Sequence, residues 1–488
     1  MSNQNSNEHR ENEHIVANKE LNLLEALIPV VLLMAMLAYN IFLVDGEWFG
    51  EYSNQIILLI GGVFAAIVGF FNKTTFETMV KEIYENLKSV FIPIMILFLV
   101  GALAGTWLVS GIIPAMVYYG LKVLSPSIFL PASIVIAAII SIATGSSWTT
   151  SATVGIALVG IGTALGIPTG MIAGAVISGA YFGDKMSPLS DTTNLAPAMA
   201  GTDLFTHIKY MFYTTGPTIL ITVIAFSIIS LNIDTTGNAD VTGLLKTIAQ
   251  TFNITPYLFI VPVTVIALIL LKTKPLIALG TGVLLAAIFS FIFQPEILSN
   301  LSDSKFSSLI NSILTDTAIV TENEKLNELF SSGGMNGMLW TIYLICCAMV
   351  FGGIMDGIGA LARITQSLLA VAKSVFGLFT STVLSCIGLN VIASDQYLAI
   401  VIPGKMFKKA YQDRGLAPEN LSRSLEDSGT VTSVLIPWNT CGAYQSGVLG
   451  VSVSEYFAYA IFNWLSPIMT LIFAAFNIKI RQLIKKEA

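Results

Sequence analysis

A chain of 488 residues with 54% hydrophobic and only 11% charged side chains is too poor in charge for a water-soluble domain, which carries about 25%. Its mean hydropathy of +0.77 and its recurring stretches of about 20 apolar residues suit helices that cross a bilayer, and they exclude a barrel, which needs short alternating segments. The net charge of −6 says little once the membrane dominates; with no phosphate-binding loop and no long polar segment to house an ATPase, a primary pump and a nucleic-acid partner are both disfavoured.

Residues 1–20 are polar, rich in Asn and Glu, and lack the pattern of a cleaved signal. They read as a disordered cytoplasmic tail. Apolar runs 24–44, 55–71 and 90–109 follow as membrane helices, and 112–124 reads as a short interfacial helix. Two apolar pieces then flank "TGSSWTTS" at 144–151. The simplest fit is a re-entrant hairpin tipped at 146–148 and one broken crossing over 171–203, although three full crossings satisfy the same parity. Run 214–231 closes the first half. A polar linker, 233–254, leads to runs 256–271, 275–293 and 338–355, and residues 481–488 form a second cytoplasmic tail. Cys346, Cys347, Cys386 and Cys441 lie in apolar surroundings and read as packing residues. His9, His14 and His207 are too scattered for a metal site.

The chain repeats itself. "GTWLVSGIIPA" (105–115) resembles "FGGIMDGIGAL" (351–361), laying Ser110 on Asp356 at an offset of 356 − 110 = 246. The same offset lays Thr144 on Asn390 and Thr149 on Asp395. "KMSPLSDTT" (185–193) fits "VLIPWNTCG" (434–442), with Pro188 on Pro437 at 437 − 188 = 249. "GGVFAAIVGF" (61–70) echoes "GVLLAAIFSF" (282–291). The halves are residues 21–232 and 255–480. Charge gives their relation. Lys73, Lys81 and Lys88 follow the second helix, whereas Asp45, Glu47 and Glu51 precede it; in the second half "KTKP" (272–275) precedes the matching helix and the acidic 294–337 follows it. Basic segments stay cytoplasmic, so the halves are expected to be inverted, with both termini cytoplasmic. The fold expected is an all-α polytopic membrane protein, an inverted repeat of about ten crossings plus two hairpins with its site between the repeats.

Irregular backbone at membrane depth is tolerated only where it faces protein or a water-filled cavity. The first break, "DKMSPLSDTTN", offers Asp184, Ser190, Asp191, Thr192 and Asn194, with Ser146 and Thr149 at the hairpin tip. The second half offers Asn390, Ser394 and Asp395 at its tip and Ser428, Thr430, Thr432, Asn439 and Thr440 at its break. Hard oxygen donors suit an alkali cation. Asp191 and Asp395, one acid per half, are expected to hold Na+ and to share it with protons, because cation and proton compete for the same carboxylate oxygens. Asp184 beside Lys185 is either a ligand or half of an internal ion pair. Asp356 reads as entrance or packing. Glu426 and Asp427 read as coupling groups or as a solvated face with Arg423 one helical turn away. Trp148 and Trp438 read as packing beneath the tips.

"GSSWTTSATVGIALVGIG", "GAYFGDKMSPLSDTTNLAPAMAGTDLFTHI" and "EDSGTVTSVLIPWNTCGAY" together resemble the NhaC family of bacterial Na+/H+ antiporters, within the ion-transporter superfamily. The resemblance covers about residues 20–480. It implies Na+ extrusion across the bacterial inner membrane driven by the proton gradient, with Na+ and H+ as transported ions and no cofactor. Related carriers that exchange malate and lactate with Na+ and H+ keep a small organic acid open as an alternative substrate, with Lys185 and Arg363 as the nearby cations. A channel and a homodimer are further alternatives.

Overall fold

The computed structural model describes residues 15–44, 48–123, 125–233, 241–271 and 273–483. Most of the N-terminal tail with His9 and His14, the loop acids Asp45 and Glu47, Lys272, residues 234–240 of the linker and 484–488 of the C-terminal tail lie outside them. Helices α1 (Leu23–Leu43), α2 (Ser53–Phe71), α3 (Phe76–Ser89), α4 (Phe91–Val109), α5 (Ile112–Val123) and α6 (Pro126–Thr144) come first. After the hairpin tip, a helical turn Ser147–Thr150 and a π turn Ser151–Gly155 run into α7 (Ile156–Ala164). Then come α8 (Thr169–Met186), α9 (Asp191–Ala200) and α10 (Leu204–Asn232). The expected linker holds a helix, α11 (Val241–Thr251), with Leu244, Ile248 and Phe252 buried; it meets Pro256–Leu270, which contains α12 (Ile260–Leu270), at 85°. After α13 (Pro275–Phe293), short helices α14 (Pro295–Leu301), α15 (Lys305–Leu314) and α16 (Glu324–Leu329) and a two-residue antiparallel ladder fill the acidic loop.

The remaining helices are α17 (Leu339–Gly357), α18 (Ala360–Ala370), α19 (Val375–Ile392), α20 (Leu398–Asp413), α21 (Pro418–Leu425), α22 (Thr440–Leu449), α23 (Val453–Tyr456) and α24 (Ile461–Ala475). Among the described residues eight helices are long and apolar enough to cross a membrane, and two bent pairs add to them. The chain is an all-α polytopic membrane protein.

The two halves share one plan. Helices α4, α5, α6, α8 and α9 start at Phe91, Ile112, Pro126, Thr169 and Asp191, and α17, α18, α19, α21 and α22 start at Leu339, Ala360, Val375, Pro418 and Thr440. The starts recur after 339 − 91 = 248 to 440 − 191 = 249 residues. The punctuation recurs too. Ser190 and Asn439 cap the first turns of α9 and α22 with side-chain oxygens, and Gly201 and Gly450 end these helices in the left-handed conformation, which a side chain disfavours.

Helix α8 runs through the middle and touches its neighbours backbone to backbone. A Cβ at Gly179 would lie 2.2 Å from the Ile134 carbonyl of α6, and one at Gly174 would lie 2.6 Å from the Tyr459 carbonyl. Small residues let apolar helices approach this closely where no hydrophobic effect drives them together.

Candidate functional site

Two helices lose their regular turn at one place. In α8 the helix stops at Met186 because Pro188 follows; Ser187 takes an extended backbone, as residues before proline do, and Ser190 restarts the chain as α9. In the second half, α21 widens into a π turn, Glu426–Thr430, passes through a tight turn at Ser433–Leu435 and breaks before Pro437. A π turn inserts one residue and is common at functional sites.

The breaks meet through side chains. Glu426 is fully buried. Its Oε1 accepts from Thr192 Oγ1 at 3.0 Å and from Thr193 Oγ1 at 3.5 Å, both in the other half's break, while Oε2 meets no donor. Asp184, also buried, accepts from the backbone N of Ser147 at 3.0 Å and its Oγ at 2.7 Å, which ties the first hairpin tip to α8. Lys185 pairs with Asp427 across the halves, both side chains wholly buried. Asp427 also accepts from Thr214 of α10 at 2.8 Å, from Ser466 at 3.4 Å and from Thr470, the last two on α24. A buried ion pair is tolerable when its remaining lone pairs are filled this way.

The structure rearranges several sequence expectations. Asp184 does not pair with Lys185, because helical neighbours point apart and Lys185 reaches Asp427. Glu426 and Asp427 are not a solvated face: both are buried, and Arg423 makes no ion pair with either. Asp191 opens α9 but is exposed, whereas Thr192 and Thr193 in the same turn are buried against the other half. Asp395 is buried and accepts from Tyr397 N at 2.6 Å and Leu398 N at 3.1 Å, the groups at the start of α20. Asp356 is buried in the last turn of α17.

The second hairpin tip and break knit together. Asn390 Nδ2 donates to Gly429 O (2.7 Å) and Thr432 Oγ1 (3.0 Å), Asn439 Nδ2 donates to Asn390 O (3.0 Å), and Thr440 N donates to Ser394 O (2.9 Å). Ser428 Oγ turns back on the Ser424 carbonyl. In the first half Ser146 Oγ takes Thr149 N (3.2 Å), and Asn194 Nδ2 donates to Ser190 O (2.7 Å). Trp148 stacks on Tyr444 with centroids 4.0 Å apart, and Trp438 Nε1 donates to Val391 O at 2.8 Å, so both tryptophans support the tips. The four cysteines are free thiols. Among the described residues no group of three or more His, Cys, Asp or Glu side chains is arranged to hold a metal.

A model of the Na+/H+ antiporter family matches residues 179–478, a span holding both breaks. The Na+/H+ antiporter NhaC of Alkalihalophilus pseudofirmus is 36% identical over 93% of this chain and 95% of its own. An uncharacterized Na+/H+ antiporter of Haemophilus influenzae is 34% identical over 95% and 97% of the two chains. A malate-2H+/Na+-lactate antiporter of Bacillus subtilis is 34% identical over 89% and 90%. Matched over most of its length by the family model and nearly end to end by these relatives, the chain belongs to the Na+/H+ antiporter family, whose members are membrane transporters and not enzymes.

Proposed function

We propose that the chain exchanges Na+ for H+ at the junction of its two breaks, with the Glu426 carboxylate as the group both ions use. One observation carries this: Glu426 is wholly buried, holds two threonine hydroxyls of the other half on one oxygen, and leaves its second oxygen without a donor. A half-satisfied carboxylate in an apolar interior attracts positive charge, supplied by a proton or by a hard cation among hard oxygens. The two exclude each other because they need the same oxygens. Thr192, Thr193 and Ser190 are the nearby hydroxyl donors, Asp184 is the second acid, and the exposed Asp191 draws the cation in. Asp395, Asn390, Asn439 and Thr440 form the mirrored group.

The halves are inverted in this reading, with both termini on the cytoplasmic face of the bacterial inner membrane. The basic segments after α2 and in α20 and the recurring element plan support it. Exchange of a small organic acid is the second reading, favoured by the relative named for malate and lactate. It is the weaker one, because Lys185 is committed to Asp427 and Arg363 is only half-buried on α18.

The test is Na+-driven collapse of a pH gradient in proteoliposomes with no organic acid present. Na+ alone should release the gradient. A gradient that moves only when malate or lactate is added would replace the first reading with the second.

A further inference from the structure

Five charges of alternating sign form a column. Arg481 of the C-terminal segment, 56% exposed, binds Glu419 Oε1 at 2.6 Å. Glu419, Arg423 and Asp427 follow at four-residue spacing along α21 and its π turn, and Lys185 closes the column on Asp427. The outer and inner acids are therefore each held by another cation. Arg423 lies between them, fully buried, and none of its three guanidinium nitrogens has a hydrogen-bond partner. Its surroundings are aromatic: the Tyr210 ring of α10 at 4.6 Å and the Phe473 ring of α24 at 5.8 Å. The same two helices supply Thr214, Ser466 and Thr470 to Asp427.

Such an arginine is costly. Ring contacts with a desolvated guanidinium offset only part of the cost of taking the ion out of water. Its five N–H donors, two of which a carboxylate would take in a bidentate pair, are left empty. A carboxylate lies within reach in sequence. In a regular α-helix, side chains four apart share a face, which would put Asp427 beside Arg423. The π turn opening at Glu426 adds a residue to the winding there, and Asp427 goes to Lys185 instead.

We infer that Arg423 is a second counter-ion of Asp427: in the carrier's other conformation the wide turn at Glu426 tightens, Asp427 leaves Lys185 for Arg423, and Lys185 is released toward the acids of the breaks. Arg423 is a positioning residue. The swap keeps Asp427 neutralised at every stage and lets Lys185 occupy the carboxylates when no transported cation does. That last step rests on the exchange reading given above; the change of partner does not.

The experiment is a melting cycle on purified full-length protein in detergent, with wild type, R423Q, K185Q and the double variant, beside turnover in proteoliposomes. In the wild-type background R423Q should leave the melting temperature unchanged or raise it, because it removes an uncompensated charge. In the K185Q background the same substitution should lower it, because Arg423 there holds Asp427. R423Q should slow exchange at least tenfold at an unchanged apparent KM for Na+, and R423K should restore most of the rate. Additive melting shifts, an R423Q protein that fails to fold, a K185Q protein that fails to fold, or R423Q turning over like wild type would each overturn the inference. The melting result does not depend on the ion carried, so a wild-type protein without Na+-driven exchange would sink the exchange reading alone.

Discussion

Glu426→Gln tests the site most directly. The amide keeps the shape of the side chain, and its oxygen still accepts from Thr192 at 3.0 Å and Thr193 at 3.5 Å. Its NH2 takes the place of the oxygen that has no donor. What disappears is one buried negative charge. Removing one member of a buried charge pair costs about 3–5 kcal/mol; at 1.4 kcal/mol per factor of ten, Na+ binding should weaken by roughly two to three and a half orders of magnitude. The fold should not suffer, because a neutral group is cheaper to bury than an unpaired charge. The assay is Na+-driven dequenching of acridine orange in proteoliposomes over a wide Na+ range, with a melting curve on the same protein. A silent but well-folded Glu426→Gln protein is the expected result. A variant that keeps the wild-type Na+ titration would place the shared carboxylate elsewhere, with Asp184 first in line.

Asp191→Asn should weaken apparent Na+ affinity by no more than about tenfold and spare the maximal rate, since an exposed charge contributes about 1 kcal/mol; a complete loss in the Na+ titration would return Asp191 to the centre of the site. Trp148→Phe should retain most transport because an aromatic face remains against Tyr444, while Trp148→Ala should lower stability by about 3 kcal/mol, read as a fall in melting temperature. Single cysteines at Gly166 and Asn323 should react with an impermeant maleimide from outside, and at Lys81 and Gln412 only from inside. Labelling of Gly166 and Gln412 from the same face would end the inverted arrangement.

Much of the architecture was legible because apolar helices must be long and their interruptions must be punctuated. Pro188 and Pro437, aligned at a single offset, marked both breaks, and Gly145 and Ser146 marked the first hairpin tip. The site was legible only in part. The breaks and their oxygen donors could be read from the sequence, but the weight fell on Asp191, which is exposed, while the acid proposed here, buried with an open oxygen, is Glu426. Nothing in the local pattern says which side of a broken helix faces the other half, and on α9 the exposed Asp191 and the buried Thr192 are adjacent. The Lys185–Asp427 pair spans 242 residues and has no local signature. A fainter sign was present in the hydroxyls of apolar helices, Thr214, Thr218 and Thr222 on α10 and Ser466 and Thr470 on α24, each four residues apart. Some of them bond only their own helix: Thr218 and Thr222 donate to carbonyls four residues back. Residue type alone therefore did not separate Thr214, which reaches Asp427, from its neighbours. The helix in the expected linker was hidden because its apolar face is short and its flanks are polar.

The glycine contacts of α8 bear on the mechanics of the carrier. Where two helices meet through long side chains, rotamers yield and one rod can slide on the other. Where a backbone carbonyl sits against a bare Cα, as at Gly179 and Gly183 against α6 and at Gly170 and Gly174 against the 455–459 turn, there is no soft layer to shear. Helix α8 with these two neighbours behaves as a single stiff keel that links the halves. Compliance is then left to places where the helical winding is already irregular, among them residues 187–190 and 426–430, which adjoin or carry the acids. A motion confined there is a short-lever motion: a small change of pitch at the joint redirects a carboxylate without displacing the body of the protein.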